Sequence, residues 1–226
     1  MQLSNNWQKL LDNHWQLIQK DNVEVFKNES PVVNKTLSLV LKLNQDLSSE
    51  ITSKLTQTIP ENLKSKIIFQ LPEGYHFTLY WSPQNDLTKS NLSQLTQSLK
   101  RLFKETLPTT GTINFPHFGK GGLFNIFLTD DQKIIALREQ LQQIFTDNGL
   151  PIGFRQEYYD LVWGSLTRYS QEFTAEEKVV LKNLPTFEME KITFTEALLT
   201  LNDKFLTPEY TQILGRFLLG TSNDIR

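Results

Sequence analysis

The order of hydrophobic and polar positions divides the chain into segments of changing period. From residue 4 to 20, Trp7, Leu11, Trp15 and Ile18 recur at helical spacing and predict an amphipathic helix. The charged, Asn-rich stretch from Asp21 to Asn34 breaks the pattern and reads as a loop or linker. At Thr36 the period drops to two. Leu37, Leu39, Leu41 and Leu43 alternate with Ser38, Val40 and Lys42, as in a strand with one strongly apolar face. Helical spacing returns with Leu47, Ile51 and Leu55 and stops at Pro60. A second strand is expected around Lys66 to Gln70 or, after a Pro72-Glu73-Gly74 turn, at Tyr75 to Trp81, where Pro83 closes it.

Leu92, Leu95, Leu99 and Phe103 then predict a helix over 89–106, ended by Pro108. Two strands, Thr110 to Phe115 and Leu123 to Leu128, are expected as a hairpin whose turn runs from Pro116 to Gly122. Ile134, Leu137, Leu141 and Ile144 mark a helix over 132–147 with Asn148-Gly149 as its C-terminal cap. A strand from Leu161 to Tyr169 follows, then a short helix opened by a Thr174/Glu177 capping box. Ile192, Phe194, Leu199 and Leu201 suggest a further strand. Tyr210 to Leu218 is either its partner or a helix opened by Thr207-Pro208-Glu209. The interleaving predicts a mixed α/β (α+β) fold, with sheet covered by helices on one side of each lobe. Residues 1–35 read as a helical extension and linker, 36–220 as the folded domain and 221–226 as a polar tail.

Composition narrows the classes. The 226 residues are 38% hydrophobic and include 15 Phe, which suits a folded core and not a disordered chain. Lys and Arg number 23 against 25 Asp and Glu, a near-balance that gives no footprint for duplex DNA. The absence of Cys excludes disulfides, thiolate metal sites and a cysteine nucleophile. Neither a signal-like N-terminus nor an apolar run of the roughly 20 residues needed to cross a bilayer is visible. The expectation is a cytoplasmic protein without a membrane partner.

Three histidines, His14, His76 and His117, are the candidates for proton chemistry. His14 lies beside the apolar stripe of its helix and reads as a packing residue. In the 75–81 strand, alternation puts His76 and Thr78 on one face, about 6.6 Å apart. That pair can meet one phosphate, the imidazole moving a proton and the hydroxyl donating a hydrogen bond. The competing reading is a buried histidine satisfied by a local carbonyl or carboxylate. In the 161–169 strand, Trp163 and Ser165 share a face, whereas Arg168 has the opposite parity and needs curvature to join them. Arg168 can hold phosphate oxygens or serve as a surface ion-pair partner. Tyr158, Tyr159 and Trp163 form an aromatic cluster suited to a nucleobase or to ordinary packing. His117 reads as a turn or aromatic packing residue, with a role as replacement proton carrier kept open. Lys120, in Phe118-Gly119-Lys120-Gly121-Gly122, could add charge to a phosphate cradle, although a hairpin turn explains the glycines. Asp130-Asp131 marks a helix start, and no metal site is expected.

His76-Phe77-Thr78-Leu79 together with Trp163-Gly164-Ser165-Leu166-Thr167-Arg168 resembles the paired His-x-Thr/Ser motifs of the 2H phosphoesterases, the group that includes bacterial 2'-5' RNA ligase-like proteins and cyclic phosphodiesterases. The resemblance extends over roughly 36–218. It implies a bilobal fold with a central cleft, in which His76, Thr78 and Ser165 retain catalytic positions and Arg168 the basic position after the second motif. It also implies metal-independent chemistry without a cofactor, on a small phosphorylated ligand or short RNA-like nucleotide. Trp163 stands where the second histidine belongs, and an indole has no basic nitrogen to exchange a proton near neutrality. The implied function is ligand binding with weak or absent phosphodiester hydrolysis. Alternatives are an active 2',3'-cyclic nucleotide or 2'-5' phosphodiesterase with a modified acid/base pair, and a non-catalytic interaction domain that contacts a protein partner through the Trp7/Trp15 helix.

Overall fold

The computed structural model describes residues 4–20, 23–26, 36–83, 88–151, 153, 158–202 and 211–220. In chain order the elements are α1 (Asn5–Lys20), β1 (Thr36–Lys42), α2 (Gln45–Thr58), α3 (Glu61–Lys64), β2 (Ile67–Phe69), a 3-10 turn (Pro72–Gly74), β3 (His76–Ser82), α4 (Lys89–Glu105), β4 (Thr109–Phe118), β5 (Leu123–Leu128), α5 (Asp131–Asp147), β6 (Val162–Ser165), β7 (Thr167–Tyr169), α6 (Ala175–Lys182), β8 (Phe187–Phe194), β9 (Glu196–Asn202) and β10 (Gln212–Leu218).

The strands form two four-stranded sheets, β10-β9-β1-β3 and β6-β5-β4-β8, and a small β2-β7 ribbon. Every pairing within them is antiparallel. Between β8 and β9 only Thr195 intervenes, so the chain passes directly from one sheet to the other. The period-two pattern of the first sheet sorts its side chains by face. Leu37, Leu39, Leu41, Phe77 and Leu199 go to the core. Phe77 meets Phe127 and Phe194 from the second sheet, at ring distances of 5.4 and 5.8 Å. The opposite face carries Ser38, Val40, Lys42, His76, Thr78 and Thr200, as the pairings Lys42 with His76, Val40 with Thr78 and Ser38 with Thr200 require.

β3 and β6 are the edge strands of their sheets, and these edges abut. At the closest point a Cβ on Gly164 would stand 1.9 Å from the carbonyl oxygen of His76, so only glycine lets the two backbones approach so far. The two motif strands therefore lie side by side.

Several expectations change in detail. Both 67–69 and 76–82 are strands, and the first pairs with β7 outside the main sheets. Pro116, His117 and Phe118 belong to β4 and not to the turn, because a register irregularity between Asn114 and His117 accommodates a residue without an N–H. The predicted 161–169 strand breaks at Leu166. Its N–H bonds Leu123 in one sheet while its carbonyl accepts from Gln70 in the ribbon. Part of the expected linker is structured: the N–H of Phe26 bonds the carbonyl of Tyr169, and Val23 is buried. Residues 207–210 and the tail 221–226 lie outside the described residues; of the segment expected to reach from Tyr210, Gln212–Leu218 is a strand paired with β9.

Helix α1 has its own seat. Trp7, 2% exposed, joins Leu10, Phe124, Ile126 and Leu161 in a separate apolar cluster on the outer face of β5 and β6. Trp15 packs on Phe118 and lies under the ammonium group of Lys182. Much of the Trp7/Trp15 face expected to contact a protein partner is thus occupied by the chain itself.

Candidate functional site

On β3, the side chain of His76 is 5% exposed, and its Nδ1 lies 2.6 Å from the carbonyl oxygen of Gly74. A carbonyl accepts only, so Nδ1 carries the hydrogen and Nε2 is the basic nitrogen. Burial is the main cause that lowers its pKa to about 4, with the positive charges of Arg168 and Lys42 acting in the same direction. His76 is neutral at pH 7. It lines a cavity of ≈ 150 Å³ with Lys42, Glu73, Thr200 and Thr211. Both sequence readings of His76 thus hold in part: one nitrogen is satisfied by a local carbonyl, and the ring still forms part of a cavity wall. Thr78 shares the face of His76 but lines neither this cavity nor the larger one described next.

On β6, Trp163 and Ser165 stand opposite Ile126 and Phe124 of β5 and look out on a cavity of ≈ 410 Å³. Arg168, Lys120 and Tyr158 line it too, together with the Gly119–Phe124 turn, Trp81, Gly153, Leu10 and His14. The parity that set Arg168 apart from Ser165 is removed by the break at Leu166, which starts a new strand in a different sheet. Lys120 and Arg168 are cationic, and no carboxylate is among the described lining residues. Trp81, Phe124, Tyr158 and Trp163 are its aromatic members, with the indole of Trp163 edge-on to both Trp7 and Tyr158, at 6.3 and 6.4 Å.

Two sequence candidates fall elsewhere. Tyr159 is 3% exposed, and its hydroxyl donates to Gln142 on α5, away from the cavity. His117 is held in β4 by a 2.6 Å hydrogen bond between Nε2 and Asn114 Oδ1, against the ring of Phe124. Burial lowers its pKa to about 4. Neither it nor Tyr159 lines the cavities that hold His76 and Ser165. The structure therefore gathers Trp163, Ser165, Arg168, Tyr158 and Lys120 around one space and leaves His76 on another.

Sequence reasoning passed over Arg138. This guanidinium, fully buried on α5, donates to the carbonyls of Thr78 and Leu79 in β3 and of Tyr158, Tyr159 and Leu161 ahead of β6. Burial pushes its pKa down to about 9, which leaves it charged at neutral pH. Its position was visible in principle, because Arg138 falls on the same helical stripe as Ile134, Leu137, Leu141 and Phe145. Trp81 was also missed. A register irregularity between β1 and β3 turns Trp81 to pair with Ser38, on the face of His76 and Thr78.

Among the described residues, no group of three or more His, Cys, Asp and Glu side chains is arranged to hold a metal ion, and no helix is long and apolar enough to cross a membrane. No protein-family model matches the chain, and no curated protein matches its sequence. Solved structures do match its shape. A protein described as a phosphoesterase superposes with a TM-score of 0.62 and 14% identity, over 82% of this chain and 98% of the other. Escherichia coli LigT complexed with NADP+ gives 0.60 and 14%, over 82% and 98%. LigT complexed with 3'-AMP gives 0.60 and 13% over the same shares. Two abutting antiparallel sheets with helices outside, and a motif strand at each inner edge, give this chain the bilobal fold of the 2H phosphoesterases.

Proposed function

We propose that this chain binds a nucleotide or another small phosphorylated ligand in its central cleft and hydrolyses phosphodiesters weakly or not at all. The observation that carries this reading is the wall of the larger cavity. Lys120 and Arg168 supply positive charge, Ser165 a hydroxyl, and Trp81, Trp163 and Tyr158 flat apolar area. Its ≈ 410 Å³ lies within the roughly 300–1,000 Å³ typical of small-molecule sites. Phosphate oxygens suit the cationic groups and a base suits the aromatic ones. The complexes of LigT with 3'-AMP and with phosphate support the same ligand class.

Turnover is another matter. Paired acid–base chemistry needs one group that accepts a proton and another that donates one, and general acid–base assistance contributes about 10²–10⁴-fold per positioned group. Trp163 can serve as neither near neutrality. A second reading, an active phosphodiesterase with a modified pair, is favoured by one feature: His76 keeps a fixed tautomer with Nε2 as its basic nitrogen.

The test compares the wild type with Trp163→His and Trp163→His/His76→Ala on 2',3'-cyclic nucleotides and short 2'-5'-linked oligonucleotides, without added metal. Saturable binding without product is expected in the wild type, and hydrolysis gained in Trp163→His but lost in Trp163→His/His76→Ala would mean that the two strands still serve one ligand. Turnover by the wild type that is lost in His76→Ala selects the second reading. Absence of both binding and hydrolysis in every form removes both readings and leaves an interaction domain.

A further inference from the structure

Helix α1 precedes the motif-bearing region, yet it forms one wall of the larger cavity through Leu10 and His14. Its placement is fixed at several points. Asn6 Nδ2 donates to Asp160 Oδ2 at 2.8 Å, Trp7 packs edge-on to Trp163, Trp15 lies on Phe118, and Lys178 Nζ donates to the carbonyl of Ile18. His14 sits between these anchors with its ring edge-on to Phe124 at 6.1 Å. Its Nδ1 is buried and has no hydrogen-bond partner. An occluded Nδ1 is out of a ligand's reach, so Nε2 is the nitrogen through which His14 can meet a ligand in the cavity. Burial also lowers the pKa of His14, so the ring is neutral, with one donor and one acceptor nitrogen.

We propose that His14 is a ligand-contacting residue, brought to the cavity by α1 to hydrogen-bond the phosphate of a bound mononucleotide together with Lys120, Arg168 and Ser165. The proposal rests on reading the cavity as an anion site and adds a residue to it. It also gives Trp163 a purpose. The indole that replaces a β6 histidine is part of the seat of the helix that carries another one. The ligand class is an aromatic phosphomonoester: the base lies against Trp81, Trp163 and Tyr158, and the phosphate meets the cations and His14.

Calorimetric titration of the full chain with adenosine 3'-monophosphate, adenosine and inorganic phosphate tests this. His14→Phe keeps the ring against Phe124 and removes both nitrogens, while His14→Gln restores a donor and an acceptor. His14→Phe is expected to bind the monophosphate on the order of tenfold more weakly with adenosine binding unchanged, and His14→Gln to recover part of the loss. Monophosphate binding that is unchanged in His14→Phe but weakened in Arg168→Gln overturns the role of His14 and leaves the cavity reading standing. A wild type that binds neither the monophosphate nor phosphate brings down both. Should His14→Phe fold poorly, the imidazole ¹⁵N shifts of His14 in the wild type answer directly. They are expected to move on saturation with the monophosphate, and fixed shifts with a bound ligand overturn the proposal.

Discussion

Strands β3 and β6 occupy equivalent places at the inner edges of their sheets, but their side chains serve different ends. On β3 the outward residue is His76, held neutral by burial and fixed at Nδ1 by the carbonyl of Gly74. On β6 it is Trp163, half-buried against Trp7 and Tyr158. The inward residues differ as sharply. Phe77 fills the core between the sheets, whereas Gly164 has no side chain because the carbonyl of His76 stands where one would be. One strand carries a proton-exchanging group, and the other is part of the surface on which a helix is laid. The same backbone framework can thus carry different outward side chains, because sheet pairing and close strand approach impose demands independent of them.

The comparison can be broken most forcefully at Gly164. Gly164→Val puts carbon atoms into a space already taken by backbone, which cannot move aside as a flexible side chain does. A loss above about 4 kcal/mol, read as failure to fold or a collapse of the urea midpoint, is expected. Next comes Trp7→Ala, which empties a buried indole site beneath α1. A cost of about 3–5 kcal/mol is expected in urea unfolding, with early proteolytic release of the helix. Unchanged stability there would mean that Trp163 is not part of a seat.

The histidines sharpen the contrast through pH. The folded pKa values of His76 and His117 are lowered to about 4 from 6.5. Between those values the unfolded chain binds protons that the folded chain does not. Their stabilising contribution is therefore full above about pH 6.5 and is lost as pH falls toward 4. The expected slope is about 1.4 kcal/mol per pH unit for each fully titrating histidine. His76→Gln and His117→Gln should each flatten it, assigning the loss to the β3 half or the β4 half. The smallest effect is expected from Asn6→Ala, which removes one exposed hydrogen bond to Asp160: about 0.5–1 kcal/mol, measurable as faster amide exchange in the first turns of α1.

Periodicity exposed most of the elements because burial follows it. The alternation from Leu37 to Leu43 and the stripe from Ile134 to Ile144 became β1 and α5 at nearly the residues expected. It failed where tertiary pairing overrides local pattern. Nothing local to Leu161–Tyr169 shows that Leu166 will bond to two different sheets, and that break is what brings Arg168 to the cavity. Trp163, Ser165 and Arg168 were legible as site candidates because the motif spacing isolates them, and Tyr158 because it belongs to an aromatic cluster. His14 was not, since its relation to Ser165 comes from where α1 docks, a contact between residues far apart in sequence. Tyr159 was misread because one residue of displacement in a turn sends a phenol toward α5 instead of the cavity.

Arg138 imposes a mechanical condition on the cleft. Its guanidinium is bonded at once to β3 and to the segment that leads into β6, so the walls there cannot part without stranding a buried charge and several carbonyls together. A ligand must therefore enter a frame whose two motif strands are riveted, with its fit governed by side chains and by the helix that forms one wall. Selectivity in such a frame comes from shape fixed beforehand, and a ligand that needs the strands to spread is rejected whatever its charge.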